Sequence, residues 1–416
     1  MLLRTDDALA RAAQPAGSAV RPRARVQASN ACGRARVRPG SFDLPRAIGR
    51  DQRLTVCRAA AGDAPPASPP GKDVRITSFS TWWQKTRAQV NHLERLTTEF
   101  PNTQLVDARL DMNTVALAAG CEVVSAFVSD NLSAPVIEAL AQGGTKMVAM
   151  RCAGTDNVDF AACAQHGIRV TRVPHYSPTS VAEQAVGLAM ALNRKLHRAY
   201  CRTREANFSL AGLVGQEMST ATVGVVGTGA IGSATCRIMK LGFGSRVLAF
   251  DMFPSDKMKA IGVEYVDTLG EMLGQSDFVF LHCPLTPQTK NIINKDAIAQ
   301  MKDGVTLINN SRGGLLDTTA AIEALERGKI GALGLDVYMN EQEMFFTDWS
   351  GGGAALRLKA WDRNLALLLS LPNVIVTPHS GFLTQEALNA IDTEVTRSVM
   401  AFASGAAELP NECKPK

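Results

Sequence analysis

The chain has 416 residues, enough for two domains of ordinary size, and its 46% apolar and 20% charged content is that of a globular protein with a mainly aliphatic core. No run of 18 apolar residues occurs, which excludes a membrane-spanning helix. The net charge of +5 sits mostly in the first 72 residues, so the remainder offers no basic stripe of the kind that binds nucleic acid.

Residues 1–72 are rich in Ala, Arg, Pro and Ser and contain no Glu. That composition is expected of an organellar transit peptide or a disordered tail rather than of a folded element. Val56-Cys57-Arg58-Ala59 resembles the cleavage regions of green-algal chloroplast precursors, so a chloroplast stroma address is expected, with the mitochondrial matrix as alternative. The nine cysteines stand singly, without a C-x-x-C pair, as expected of reduced thiols. No metal-ligand spacing is present.

From Val74 the pattern changes. Val74–Phe79 alternates like a strand, and short apolar runs at 123–128, 146–151 and 168–173 are separated by helical periodicities. Strands alternating with helices build parallel sheets from βαβ units. A helix is expected from Ser180, where Val181, Ala185, Leu188, Ala189 and Leu192 recur at three- and four-residue steps, with Arg194, Lys195 and Arg198 near its far end. It is placed to bridge two domains.

The strand-like run Thr222–Val226 leads into Gly227-Thr228-Gly229-Ala230-Ile231-Gly232 and then into a helical pattern. A second strand, Arg246–Phe250, ends in Asp251, 19 residues after Gly232. This is the context a dinucleotide fingerprint requires. Gly227 permits the tight turn, Gly229 lets the backbone approach a pyrophosphate, and Gly232 lets helix and strand pack. The phosphates would lie at the helix N-terminus, beside Ala230 and Ile231. Asp251 can accept from ribose hydroxyls and would repel a 2′-phosphate, which favours NAD over NADP.

Three further strand-like runs end in polar clusters: His282-Cys283-Pro284, Asn310-Ser311-Arg312, and the segment that begins at Asp336. Ligands bind beyond the carboxyl ends of strands in such sheets, so these clusters should converge on one cleft. His282, Cys283, Pro284, Asn310, Ser311 and Asp336 are therefore expected near the cofactor.

Asn310-Ser311-Arg312-Gly313, then Gly334–Glu341, then Thr377-Pro378-His379 resembles the D-2-hydroxyacid dehydrogenase family over about residues 74–412. The resemblance implies a catalytic Arg, Glu and His, matched by Arg312, Glu341 and His379. The chemistry agrees. Arg312 can grip a carboxylate with paired donors and polarise a carbonyl, and His379 can deliver a proton. Glu341 can orient the imidazole and favour its charged form. Met339 stands where many members have Glu, but the step of five residues from Asp336 to Glu341 is kept. Glu341 also argues against formate dehydrogenase relatives, which carry Gln there.

Residues 151–159 resemble the family's substrate loop, whose amides meet the substrate carboxylate; Ala153 and Gly154 take that place. Tyr176 is expected over the substrate. Phe382, three residues after His379, matches the aromatic that walls off a methyl group in the family's D-lactate dehydrogenases. Residues 202–210 and 343–348 are similar to the same branch. Against this, Pro378-His379-Ser380-Gly381 is similar to the glyoxylate and hydroxypyruvate reductases. The expectation is an α/β protein with a Rossmann-type NAD domain at 177–376. A flavodoxin-like, discontinuous substrate domain would comprise 73–176 and 377–412. Its activity would be reversible NADH-dependent reduction of pyruvate to D-lactate, in a homodimer or homotetramer with the bridging helix near the interface. The alternatives are glyoxylate or hydroxypyruvate reduction and, from another class, an NAD-sensing scaffold like the family's corepressors. Cys152, beside the substrate loop, is an expected point of redox sensitivity.

Overall fold

The computed structural model describes residues 73–81, 93–352 and 362–413, so the transit-peptide reading of 1–72 lies outside the described residues. Two parallel sheets organise the chain. The first holds β1 (Ile76–Ser78), β2 (Gln104–Leu105), β3 (Val123–Ala126), β4 (Met147–Met150) and β5 (Arg169–Thr171) in the order β2-β1-β3-β4-β5. This is the flavodoxin-like order.

The second sheet holds β6 (Thr222–Val226), β7 (Arg246–Phe250), β8 (Glu264–Tyr265), β9 (Phe278–Leu281), β10 (Val305–Asn309), β11 (Ile330–Leu335) and β12 (Val374–Val376). Its order, β12-β11-β10-β9-β6-β7-β8, reverses direction between β6 and β9. Those two strands pair in parallel, Val226 opposite Leu281. The crevice beyond their carboxyl ends is where a dinucleotide binds in a Rossmann fold.

Each sheet is apolar on both faces because helices cover both, as parallel sheets demand. On one face of the second sheet the bridging helix Pro178–Asn193 packs Ala185, Leu188, Ala189 and Leu192 against Val223, Val225, Phe280 and Ile308. On the other face Val226, Leu248, Leu307 and Leu333 form a separate core with Leu325 and Leu368. The bridging helix is shorter than its sequence period suggests. Lys195 adopts φ +51, and a second helix, Leu196–Arg204, starts there in a new direction.

The C-terminal helix Gln385–Ala403 returns to the first sheet. Its Leu388, Ile391, Val395 and Val399 pack with Ile76, Val123, Met147 and Ala149. The chain thus crosses between sheets twice, and the crossings meet. Ser177 caps the bridging helix by accepting from the Ser180 amide, Thr384 caps the C-terminal helix, and the Ser180 and Thr384 hydroxyls lie 2.7 Å apart. The fold is a two-domain α/β architecture of Rossmann type.

Candidate active site

At the crevice, the fingerprint glycines do what steric argument requires. Gly227 has φ +91, and a Cβ there would press on the backbone of His282 and Cys283. A Cβ on Gly232 would overlap the Gly227 carbonyl, whereas Gly229 faces open space. That open space, at the start of the helix Ala230–Arg237, is a cradle for a phosphate. Asp251, at the end of β7, holds the loop. Its Oδ2 accepts from the Thr228 amide and, at 2.9 Å, from the Thr228 hydroxyl, while Oδ1 accepts from the Phe253 amide at 2.8 Å. Oδ1 is then the oxygen open to a ribose hydroxyl. Tyr265 adds a brace by donating to Thr228 Oγ1 at 2.9 Å, a contact that no motif signals.

A cavity of about 230 Å³ joins this loop to the first sheet. Ala153, Tyr176, Gly229, Ala230, Ile231 and His282 all line it, so residues singled out in separate segments meet in one space. His282 bonds Thr235 Oγ1 through Nε2 at 2.9 Å, and burial pushes its pKa down to about 3, leaving a neutral ring. Cys283 is a buried thiol pushed up to about 11 by burial. Its carbonyl accepts from the Ser311 hydroxyl at 2.8 Å, and the Pro284 carbonyl accepts from Thr289 Oγ1 at 2.6 Å, so this segment braces the loops by its backbone.

Asn310 donates to the Val181 carbonyl at 2.6 Å, and its Oδ1 is buried without a partner. An orphaned acceptor at the end of β10 fits the amide NH₂ of a nicotinamide. Asn309, which belongs to none of the expected site residues, brackets the turn by accepting from the Ser311 amide and donating to the Arg312 carbonyl.

Arg312 reaches to the loop of the first sheet. Its guanidinium lies so close to Gly154 that a Cβ there would collide with Nη2. Nε donates to Asp156 Oδ2 at 3.0 Å and Nη1 to the Ser311 carbonyl at 2.8 Å. Asp156 is legible in sequence only as a loop residue, because its partner lies 156 residues away.

His379 stands on a strained turn with φ +56. Its Nδ1 is 2.9 Å from Glu341 Oε1, and Glu341 Oε2 accepts from the Tyr338 amide at 3.0 Å. The turn is held by Asp336, buried at the end of β11. That carboxylate accepts from the Thr377 hydroxyl, the Ser380 amide (2.9 Å) and the Gly381 amide (2.7 Å). Burial raises the Asp336 pKa, and these hydrogen bonds oppose the rise. Asp336, expected near the cofactor, is thus engaged by both oxygens in shaping the His379 turn.

Phe382 is buried, 5.7 Å between ring centroids from Phe127 and 6.4 Å from Tyr176. The Cys152 thiol donates to the Gly154 carbonyl at 3.1 Å, and burial pushes its pKa up to about 12, which disfavours the reactive thiolate.

The family described as D-isomer specific 2-hydroxyacid dehydrogenase, NAD binding domain, matches residues 186–381. Over 309 residues the chain is 48% identical to the D-lactate dehydrogenase of Escherichia coli, covering 74% of this chain and 91% of that protein. It is 49% identical over 302 residues to a 2-hydroxyacid dehydrogenase homologue of Haemophilus influenzae, covering 73% and 89%. The solved structure of the pyruvate reductase of Chlamydomonas reinhardtii superposes with a TM-score of 0.76 at 48% identity, covering 82% of this chain and 99% of that one. The chain belongs to the family of NAD-dependent D-2-hydroxyacid dehydrogenases.

Proposed function

We propose that this enzyme reduces pyruvate to D-lactate with NADH, reversibly. The carrying observation is a pair of devices beyond the ends of β10 and β12, the two strands that flank β11: Arg312 laid against the Gly154 backbone, and His379 held through Nδ1 by Glu341. The names borne by the Escherichia coli and Chlamydomonas relatives support the choice of substrate.

The residues divide the work. The ion pair from Asp156 to Nε fixes the plane of Arg312 and presents its terminal nitrogens to a carboxylate. The Ala153 and Gly154 amides would share that carboxylate. Bound NADH supplies the hydride that the carbonyl carbon accepts; the Gly-rich loop, Asp251 and Asn310 are the groups that hold the dinucleotide. With Nδ1 on Glu341, the His379 proton leaves from Nε2 to the carbonyl oxygen. Glu341 balances the imidazolium, and Arg312 stabilises the nascent alkoxide. Pyruvate, NADH and one proton give lactate and NAD⁺. Phe382 and Tyr176 close the side where a methyl group sits.

On this reading residues 177–376 are the nucleotide domain, and 73–176 with 377–412 the substrate domain. The composition of 1–72 supports a chloroplast stroma form, with the mitochondrial matrix as alternative, checked by sequencing the N-terminus of the protein recovered from isolated organelles. Recovery of the unprocessed chain from the cytosol would reject it.

The direct test follows NADH oxidation with pyruvate, glyoxylate and hydroxypyruvate, using His379→Ala as control. The highest kcat/KM on pyruvate is expected, and its loss in the variant. Preference for glyoxylate or hydroxypyruvate would move the enzyme to the reductase branch. No turnover on any acid would favour an NAD-sensing scaffold.

A further inference from the structure

The mechanism leaves one segment near His379 without a task. Residues 344–349 follow Glu341. Met344 and Phe345 are buried in the core of the nucleotide domain, and the Trp349 indole donates to the Met344 carbonyl at 2.8 Å. Phe346 between them turns away. Its φ is +62, a region that costs a non-glycine residue about 1 kcal/mol or more unless its surroundings enforce it.

The surroundings do enforce it. Phe346 packs against the core of the second sheet and also against the core of the first. Its ring meets Phe127, at the end of β3, edge to face with centroids 5.4 Å apart, and lies 6.0 Å from the His379 ring. With Phe382 and Tyr176 this makes a continuous row of rings along the proton donor. A substrate-domain side chain clasps the residues on either side of Phe346. Arg109, which follows β2, donates to the Phe345 carbonyl and, at 3.2 Å, to Thr347 Oγ1.

We propose that Phe346 is a specificity-determining wall of the substrate pocket, contributed by the nucleotide domain, and that Arg109 is the positioning residue that holds it over His379. Together they limit the C3 substituent of the 2-oxo acid. The inference rests on the 2-oxo acid reductase reading above. Phe127 follows a strand of the first sheet and Phe346 packs on the core of the second, so the wall is complete only when the two rings meet as they do here. Rings in contact exclude further carbons, and a small apolar pocket discriminates one methylene by roughly 10–200-fold.

The test uses the full chain and the variants Phe346→Ala, Phe346→Tyr, Arg109→Gln and Arg109→Lys. It measures kcat/KM for pyruvate, 2-oxobutyrate and 2-oxopentanoate, with NADH affinity read by fluorescence. Phe346→Ala should raise the ratio of 2-oxopentanoate to pyruvate at least tenfold, and Phe346→Tyr should keep the wild-type ratio. Arg109→Gln should move the ratio the same way by less, with Arg109→Lys restoring part of it. NADH affinity should stay within about twofold throughout. An unchanged ratio in Phe346→Ala, or an equal loss on all three acids, would overturn the proposal. Should Phe346→Ala not bind NADH, Phe346→Leu gives the same reading, because leucine leaves the ring's edge vacant. A wild type inactive on every 2-oxo acid would overturn both readings, whereas activity with an unmoved ratio overturns this one alone.

Discussion

At the scale of single residues, the two histidines at the crevice separate by environment. His379 sits on a carboxylate and is the proposed proton carrier, whereas His282 is kept neutral by burial. The consequence for stability has a definite sign. The unfolded chain takes up a proton on His282 below about 6.5, but the folded chain refuses it until about 3. Stability is therefore unaffected above about 6.5 and falls as pH drops through that window, by up to ~1.4 kcal/mol per pH unit. His282→Gln can keep a hydrogen bond to Thr235, so its urea midpoint should fall less than that of wild type between pH 6.5 and 4.5. Equal losses in both would show that His282 does not titrate across folding. The motif residues are readable because strand ends and Gly-rich turns mark themselves in sequence. Asp156, Arg109, Phe127 and Phe346 are not, because what defines them is a partner more than a hundred residues away.

Secondary elements explain why the site keeps its shape. The buried parallel strands are legible to within a few residues, since they read as apolar runs, whereas the short and less buried β2, β8 and β12 are not. The break at Lys195 is not, because the helical period continues across it and only a left-handed backbone at one residue redirects the chain. The junction of β11 with the His379 turn shows an element acting on chemistry. Asp336 accepts two successive amides, from Ser380 and Gly381, and so imposes the conformation that aims the imidazole. Asp336→Asn replaces one acceptor oxygen by a donor and must lose one of these bonds. We expect kcat to fall at least tenfold while NADH affinity changes by less than threefold. A large loss of NADH affinity with kcat preserved would instead make Asp336 a cofactor ligand.

The whole molecule joins a nucleotide domain to a substrate domain through two crossings that meet at Ser180 and Thr384. The Gly154 loop lies against Arg312 across the two domains, and closure about these crossings is expected to exclude water from the reacting carbonyl. Just beyond the bridging helix, Tyr200, Phe208, Leu210 and Val214 are 63–82% exposed. A cluster of this kind is expected to be covered by another copy of the chain. Light scattering should therefore give two or four times the chain mass, and Phe208→Ser with Leu210→Ser should lower it; a wild type of single-chain mass would reject the homo-oligomer.

The proposed protonation of an Arg312-held pyruvate by His379, aimed by Glu341, is tested most directly through its product. Lactate enantiomers formed from pyruvate and NADH are assayed for wild type and His379→Ala, with NADH binding measured in both. D-lactate alone is expected from wild type, and a rate at least a hundredfold lower in a variant that still binds NADH. L-lactate, or a variant as fast as wild type, would contradict the proposal.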